Sequence, residues 1–172
     1  MKFPTIWPQF FTATIQKWKN LLKDDEYKDI IIDCLKFLVS QNRVEVNAFV
    51  IMNNHVHIIW QPLQHYSISQ IQTSFTTHTA KSIKKKLLET NTGLLEEIKV
   101  NKYDRKYQVW KRDSLSIELF TENTFMQKLN YIHENPVVAG LVTNPEEYKY
   151  SSAKFYESGI DDFGFISHFS GD

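Results

Sequence analysis

Phe49-Val50-Ile51-Met52-Asn53-Asn54-His55-Val56-His57-Ile58-Ile59-Trp60 is the stretch that decides how the rest of the chain is read. It is apolar, rich in β-branched residues, and places two histidines one residue apart. Alternate side chains of a strand share a face, so His55 and His57 project together while Val56, Ile58 and Trp60 point the other way. Upstream, Val44 to Met52 reads as a strand of its own, and Asn53-Asn54 is turn chemistry. The two strands are therefore expected to form a hairpin. Two imidazoles on one face are half of a metal site, although a strand with a wet polar face would look the same. A second element has to supply the rest.

That element is Phe125-Met126-Gln127-Lys128-Leu129-Asn130-Tyr131-Ile132-His133-Glu134-Asn135-Pro136, whose apolar residues recur at helical spacing. Tyr131 and Asn135 are four apart and share a helix face if the last turn holds. A phenol and an amide facing a two-histidine strand suggest a metal plus a nucleophile. Tyr148, Tyr150 and Tyr156 compete as phenols, Asn135 before Pro136 could simply cap a following short helix, and His133 reads as structural.

Working outward, Phe10 to Ile15 reads as a first strand. Asp25 and Glu26 suit a helix N-terminus, and Tyr27, Ile30, Ile31, Cys34, Leu35 and Leu38 carry a helix from about 25 to 41. After Pro62 a long helix begins near Ser67 and ends before Asn91-Thr92-Gly93; its second half carries Lys81, Lys84, Lys85 and Lys86. Residues 94 to 106 show no period. Tyr107 to Trp110 and Leu115 to Leu119 read as short strands or extended segments, although Ser116 to Phe120 could equally be a loop packing on the next helix, and Thr121 reads as the N-cap of the tyrosine helix. The order strand, helix, strand, strand, helix, strand, helix is that of an α+β, ferredoxin-like (RRM-like) domain. It implies an antiparallel sheet covered by helices on one face, with the tyrosine-bearing helix added at the C-terminal end. The end itself, from about 160, is expected to be loosely held.

The chain has 172 residues, 42% hydrophobic and 14% aromatic, which fits one globular domain. Its single cysteine, Cys34, rules out an internal disulfide and fits a reducing compartment. No apolar run approaches the roughly 18 residues of a membrane span. Met1-Lys2-Phe3-Pro4 shows no signal-peptide core, so the expected location is cytoplasmic. The net charge is zero, but residues 81 to 112 hold 10 Lys and Arg against 4 Asp and Glu, and residues 113 to 172 hold 3 against 10. With Lys111 and Arg112 beside Trp110, the basic block reads as a track for phosphates, against the alternative of a solvated helix face.

Taken together, Phe49 to His57, Tyr131 to Val142 (Tyr-Ile-His-Glu-Asn-Pro-Val-Val-Ala-Gly-Leu-Val) and Pro145 to Ser152 resemble the REP-associated tyrosine transposases, a group of the single-tyrosine HUH transposases. The likeness covers roughly residues 10 to 155, with the motifs in order. Asn53 departs from it, because relatives typically carry Pro there; this changes the approach to the strand and removes no ligand. The resemblance implies the ferredoxin-like fold, Tyr131 as nucleophile, and His55, His57 and Asn135 as ligands of a divalent metal, Mg²⁺ or Mn²⁺. It further implies single-stranded or hairpin DNA as partner, for which the basic block offers Lys81, Lys84, Lys85, Lys86, Lys111 and Arg112 as phosphate contacts, and it leaves a homodimer possible. A catalytically silent nucleic-acid-binding domain, or a phosphoesterase using water as nucleophile, would share most of these features.

Overall fold

The computed structural model describes residues 7–63 and 65–169. Four strands form one antiparallel sheet: β1 (Gln9–Thr14), β2 (Val44–Ile51), β3 (His55–Pro62) and β6 (Leu115–Glu118), in the order β2-β3-β1-β6. This is the order of a split β-α-β domain. The β2–β3 hairpin turns at Asn53-Asn54, where Met52 N–H donates to His55 O at 2.9 Å. A second sheet of two short strands, β4 (Lys99–Lys102) and β5 (Arg105–Tyr107), stands apart.

The alternation of β1 and β3 sorts their residues between two cores. Phe11 and Ala13 of β1 and Ile15 just after it, with Val56, Ile58 and Trp60 of β3, meet α1 (Asp25–Ser40) and α2 (Ile68–Thr90) on one face. In α2 the buried residues are Ile71, Phe75, Thr79, Ile83 and Leu87, a strict four-residue repeat, and Ser67 caps its start in a capping box with Gln70. Phe10, Ala48, Val50 and Ile59 project to the opposite face and meet α4 (Glu122–Val138) through Phe125, Leu129 and Ile132. The helix with Tyr131 thus crosses the face that the two histidines occupy. Thr121 caps it as expected, its Oγ1 accepting from Thr124 N–H at 3.1 Å.

Pro136 lies inside α4, and Ala139 N–H still donates to Asn135 O at 3.0 Å. Asn135 is therefore helical and is not the cap of a separate short helix. Between α2 and β6 the elements are short. Tyr107 to Trp110 is not a strand of the main sheet: Tyr107 ends β5, and Trp110 makes a single bridge to Ile15. The aperiodic stretch from 94 falls in a short helix, α3 (Thr92–Glu97), followed by the β4–β5 hairpin.

Residues 170–172 lie outside the described residues; before them the end of the chain makes contacts with the main sheet. After α5 (Ala153–Ser158), Phe165 is buried, Ile166 bridges Val46, and Ser167 N–H donates to Val46 O at 2.9 Å. Ser151 bridges Val50, so these segments cover the outer edge of β2. No described helix is long and apolar enough to cross a membrane.

Candidate active site

The sheet register places the histidines first. His57 pairs with Thr12 and His55 with Thr14 across the two central strands, so both imidazoles stand on the α4 side of the sheet, where β1 ends and β3 begins. Their ring centroids are 4.8 Å apart. Each is oriented through Nδ1: Thr12 Oγ1 lies 2.7 Å from His57 Nδ1, and Asn54 Oδ1 lies 2.7 Å from His55 Nδ1. Phe10 stacks on the His57 ring at 5.4 Å.

His57 is more deeply placed than a residue on a wet strand face. It is 5% exposed, and among the described residues its Nε2 is buried with no hydrogen-bond partner. Burial is the main cause that pushes its pKa down to about 3, with His55 and Lys128 nearby adding to the effect. Burial likewise lowers His55, and a hydrogen bond from its ring to the Asn135 side chain opposes that shift. Both rings are thus held neutral, the state in which an imidazole offers a lone pair. If Nδ1–H of His57 donates to Thr12, the orphaned Nε2 is that lone pair.

From α4, Tyr131 sets its ring 5.2 Å from His57 and 6.1 Å from Phe10, edge-on to both. It is 51% exposed, and among the described residues its hydroxyl makes no hydrogen bond. The competing tyrosines are committed elsewhere. Tyr148 donates to Ile51 O at 2.8 Å, Tyr150 to Asp29 Oδ1 at 2.8 Å and Tyr156 to Asn47 O at 2.6 Å. Burial raises all three, Tyr148 and Tyr156 to about 12. His133, packed against Tyr156 and hydrogen-bonded to Ser152 Oγ at 2.9 Å, belongs to the scaffold.

His55, His57, Tyr131 and Asn135 therefore converge within one chain. Two imidazole nitrogens and an amide oxygen form a neutral donor set that could hold a divalent cation and leave positions open for phosphate oxygen and water. Among the described residues no group of three or more His, Cys, Asp or Glu side chains comes together.

The basic residues divide. Lys84, Lys111 and Arg112 line one groove of about 450 Å³ together with Thr76, Arg105 and Ser114. The groove lies between α2 and the 104–114 segment. Lys86 instead pairs with Glu26 of α1 at 3.1 Å, and Lys81 and Lys85 are exposed on α2 outside the groove lining. Trp110 is core, 6% exposed, with its indole N–H donating to Thr79 Oγ1 at 3.0 Å. Sequence reasoning missed Thr12, Phe10 and Lys128. Thr12 was legible in principle, as a polar residue on the β1 face expected to meet the histidines; the other two depend on how α4 is laid across the sheet.

Comparison with known proteins places the chain. No curated protein sequence matches it. Among solved structures it is similar to a REP-associated tyrosine transposase bound to a REP hairpin, with a TM-score of 0.66 at 15% identity, covering 100% of this chain and 90% of that one. At this identity the likeness is one of fold. It is also similar to a Deinococcus radiodurans R1 protein described as a candidate transposase, with a TM-score of 0.48 at 18% identity over 78% of this chain and 97% of that one. Residues 10–133, a span that takes in His55, His57 and Tyr131, match the family described as "Transposase IS200 like", and the chain belongs to that family.

Proposed function

We propose that this transposase cuts and rejoins single-stranded DNA with Tyr131 as nucleophile. In the first step the Tyr131 Oη–phosphorus bond forms and the phosphorus–O3′ bond breaks. The products are a 5′-phosphotyrosine and a free 3′-hydroxyl; the phenol proton leaves to solvent and the 3′-oxygen takes one up. A 3′-hydroxyl reverses the step, so the phosphodiester is conserved and rejoining requires no nucleotide triphosphate. The chain has no Walker-type Gly-rich loop, in keeping with this.

His55, His57 and Asn135 would hold Mg²⁺ or Mn²⁺, which when bound polarises a non-bridging oxygen of the scissile phosphate. Thr12 and Asn54 fix the imidazole rings, and Phe10 backs the His57 ring. Lys84, Lys111 and Arg112 would track the strand in their groove. The observation that carries this reading is the contact of the exposed, unpartnered Tyr131 with the buried His57, 5.2 Å between rings, beside a histidine nitrogen that has nothing else to bind among the described residues. The fold shared with a transposase bound to a REP hairpin supports hairpin-bearing DNA as the substrate class.

The test is a library of single-stranded oligonucleotides with a central hairpin and randomised flanks, incubated with Mn²⁺ and resolved under denaturing conditions. A protein–DNA adduct is expected. Cleavage without an adduct would assign water as nucleophile, and binding without cleavage would make the chain a silent binding domain.

A further inference from the structure

Among the described residues Lys128 is the cation that faces the site, and the tyrosine chemistry as set out above gives it nothing to do. It stands three residues before Tyr131, as Asn135 stands four after, so the three residues form one stripe along α4. Its Nζ lies 4.7 Å from the Phe10 ring centroid and 5.6 Å from that of Tyr131. Phe10 in turn stacks on His57.

The placement is unusual for a lysine. Its side chain is only partly exposed, and among the described residues its Nζ has neither an ion pair nor a hydrogen-bond acceptor, only the two aromatic faces. Lysines with a free choice extend their ammonium into water. Here the charge is instead folded back toward two imidazoles, and none of the ion pairs among the described residues balances it. A divalent cation held by those imidazoles would be repelled by the ammonium unless an anion sat between them. The anion that fits between a cation, an ammonium and a phenol hydroxyl is a phosphodiester.

We propose that Lys128 binds the scissile phosphate, its ammonium donating to a non-bridging oxygen on the side of Tyr131 away from Asn135. This rests on the reading of the site given above and adds a residue that touches substrate. The Phe10 and Tyr131 faces hold the ammonium in place by cation–π attraction until the strand arrives. On binding, the ammonium exchanges aromatic faces for a charge-assisted hydrogen bond.

The test uses Tyr131→Phe protein, which cannot cleave, and the strand selected from the hairpin library. A single methylphosphonate, which replaces one charged oxygen by a methyl group, is moved through the strand one linkage at a time. At one linkage, Tyr131→Phe protein should lose roughly tenfold or more in affinity, the size expected for a charge-assisted contact. The Tyr131→Phe, Lys128→Gln protein should lose less than about twofold at that same linkage, Lys128→Arg should behave as Lys128, and Lys36→Gln on α1 should change nothing. With Tyr131 restored, that linkage should also be the one cut, and Lys128→Gln should slow adduct formation by a similar factor or more. If the methylphosphonate penalties at every linkage are the same for the Tyr131→Phe protein and for its Lys128→Gln variant, the inference is overturned. If a Lys128-dependent linkage is found but wild type forms no adduct there, Lys128 binds phosphate and the tyrosine chemistry is what fails. If no strand binds, both fall.

Discussion

Thr12→Val is the sharpest perturbation of the scaffold beneath the site. It exchanges a hydroxyl for a methyl at nearly constant volume and strands His57 Nδ1 in a ring that is 5% exposed. Leaving a buried polar group unpartnered costs about 1–3 kcal/mol. In a chain of this length that lowers Tm by roughly 2–10 °C. The second effect is on the ligand. With Nδ1 free the imidazole can turn and exchange tautomers, and loss of such an orienting partner weakens a metal site by about 10- to 100-fold. Stabilisation by added Mn²⁺ should then shrink by up to about 1.4–2.7 kcal/mol at concentrations well above the wild-type Kd. Thermal unfolding across a Mn²⁺ series reads both effects, and Thr12→Ser, which keeps the oxygen, should restore most of each. A Thr12→Val protein with the wild-type Tm and Mn²⁺ response would show that the 2.7 Å contact does not orient the ring.

Two other expectations concern the groove and the scaffold. Neutralising Lys84, Lys111 and Arg112 together should weaken single-stranded DNA binding and flatten its log–log salt dependence by about 0.7 for each phosphate no longer neutralised, whereas Lys86→Gln, which removes the partner of Glu26, should leave the slope unchanged; equal slopes for both proteins would remove the groove from the interface. Burial depresses His133 from its ordinary value of 6.5 to about 4, so the unfolded chain binds more protons between those values: stability is full above about pH 6.5 and is lost as pH falls toward 4. His133→Gln should reduce the drop in urea-unfolding stability between pH 7 and pH 5 by at most about 2 kcal/mol, and an unchanged drop would show that His133 does not titrate in the folded protein as its burial implies.

Much of the fold was legible because the sheet is sorted by the plainest of signals. The alternation of Val56, Ile58 and Trp60 against His55, His57 and Ile59 assigns the two faces of β3 from sequence alone, and the four-residue repeat of α2 assigns its buried side. The stretch from 94 to 106 was opaque because its elements are too short to show a period: α3 has 6 residues, β4 has 4 and β5 has 3. The packing of residues 165 to 167 was not legible for a different reason. Phe165 is buried and Ile166 half-buried by meeting β2, far earlier in the chain, and no local pattern announces such a contact. Within the site, the face shared by Tyr131 and Asn135 was a matter of helical spacing. The depth of His57 was not, since it depends on Phe10 and α4 closing over it; an alanine there would open a hole in the second core, and a gentler change such as His57→Gln is the better probe.

The central claim is that Tyr131 is the residue that becomes bonded to DNA. The direct measurement is mass spectrometry of the tryptic peptide carrying the nucleotide, from wild type and from Phe variants at Tyr131, Tyr148, Tyr150 and Tyr156, after incubation with the selected hairpin strand and Mn²⁺. Tyr131→Phe removes one oxygen from an exposed side chain, so folding and strand affinity should be unchanged while the adduct disappears. Phe at the other three positions should leave the adduct in place on Tyr131, even where the loss of a buried hydrogen bond lowers stability. A denaturation-resistant adduct from the Tyr131→Phe protein, or a nucleotide found on any other peptide of the wild type, would contradict the account.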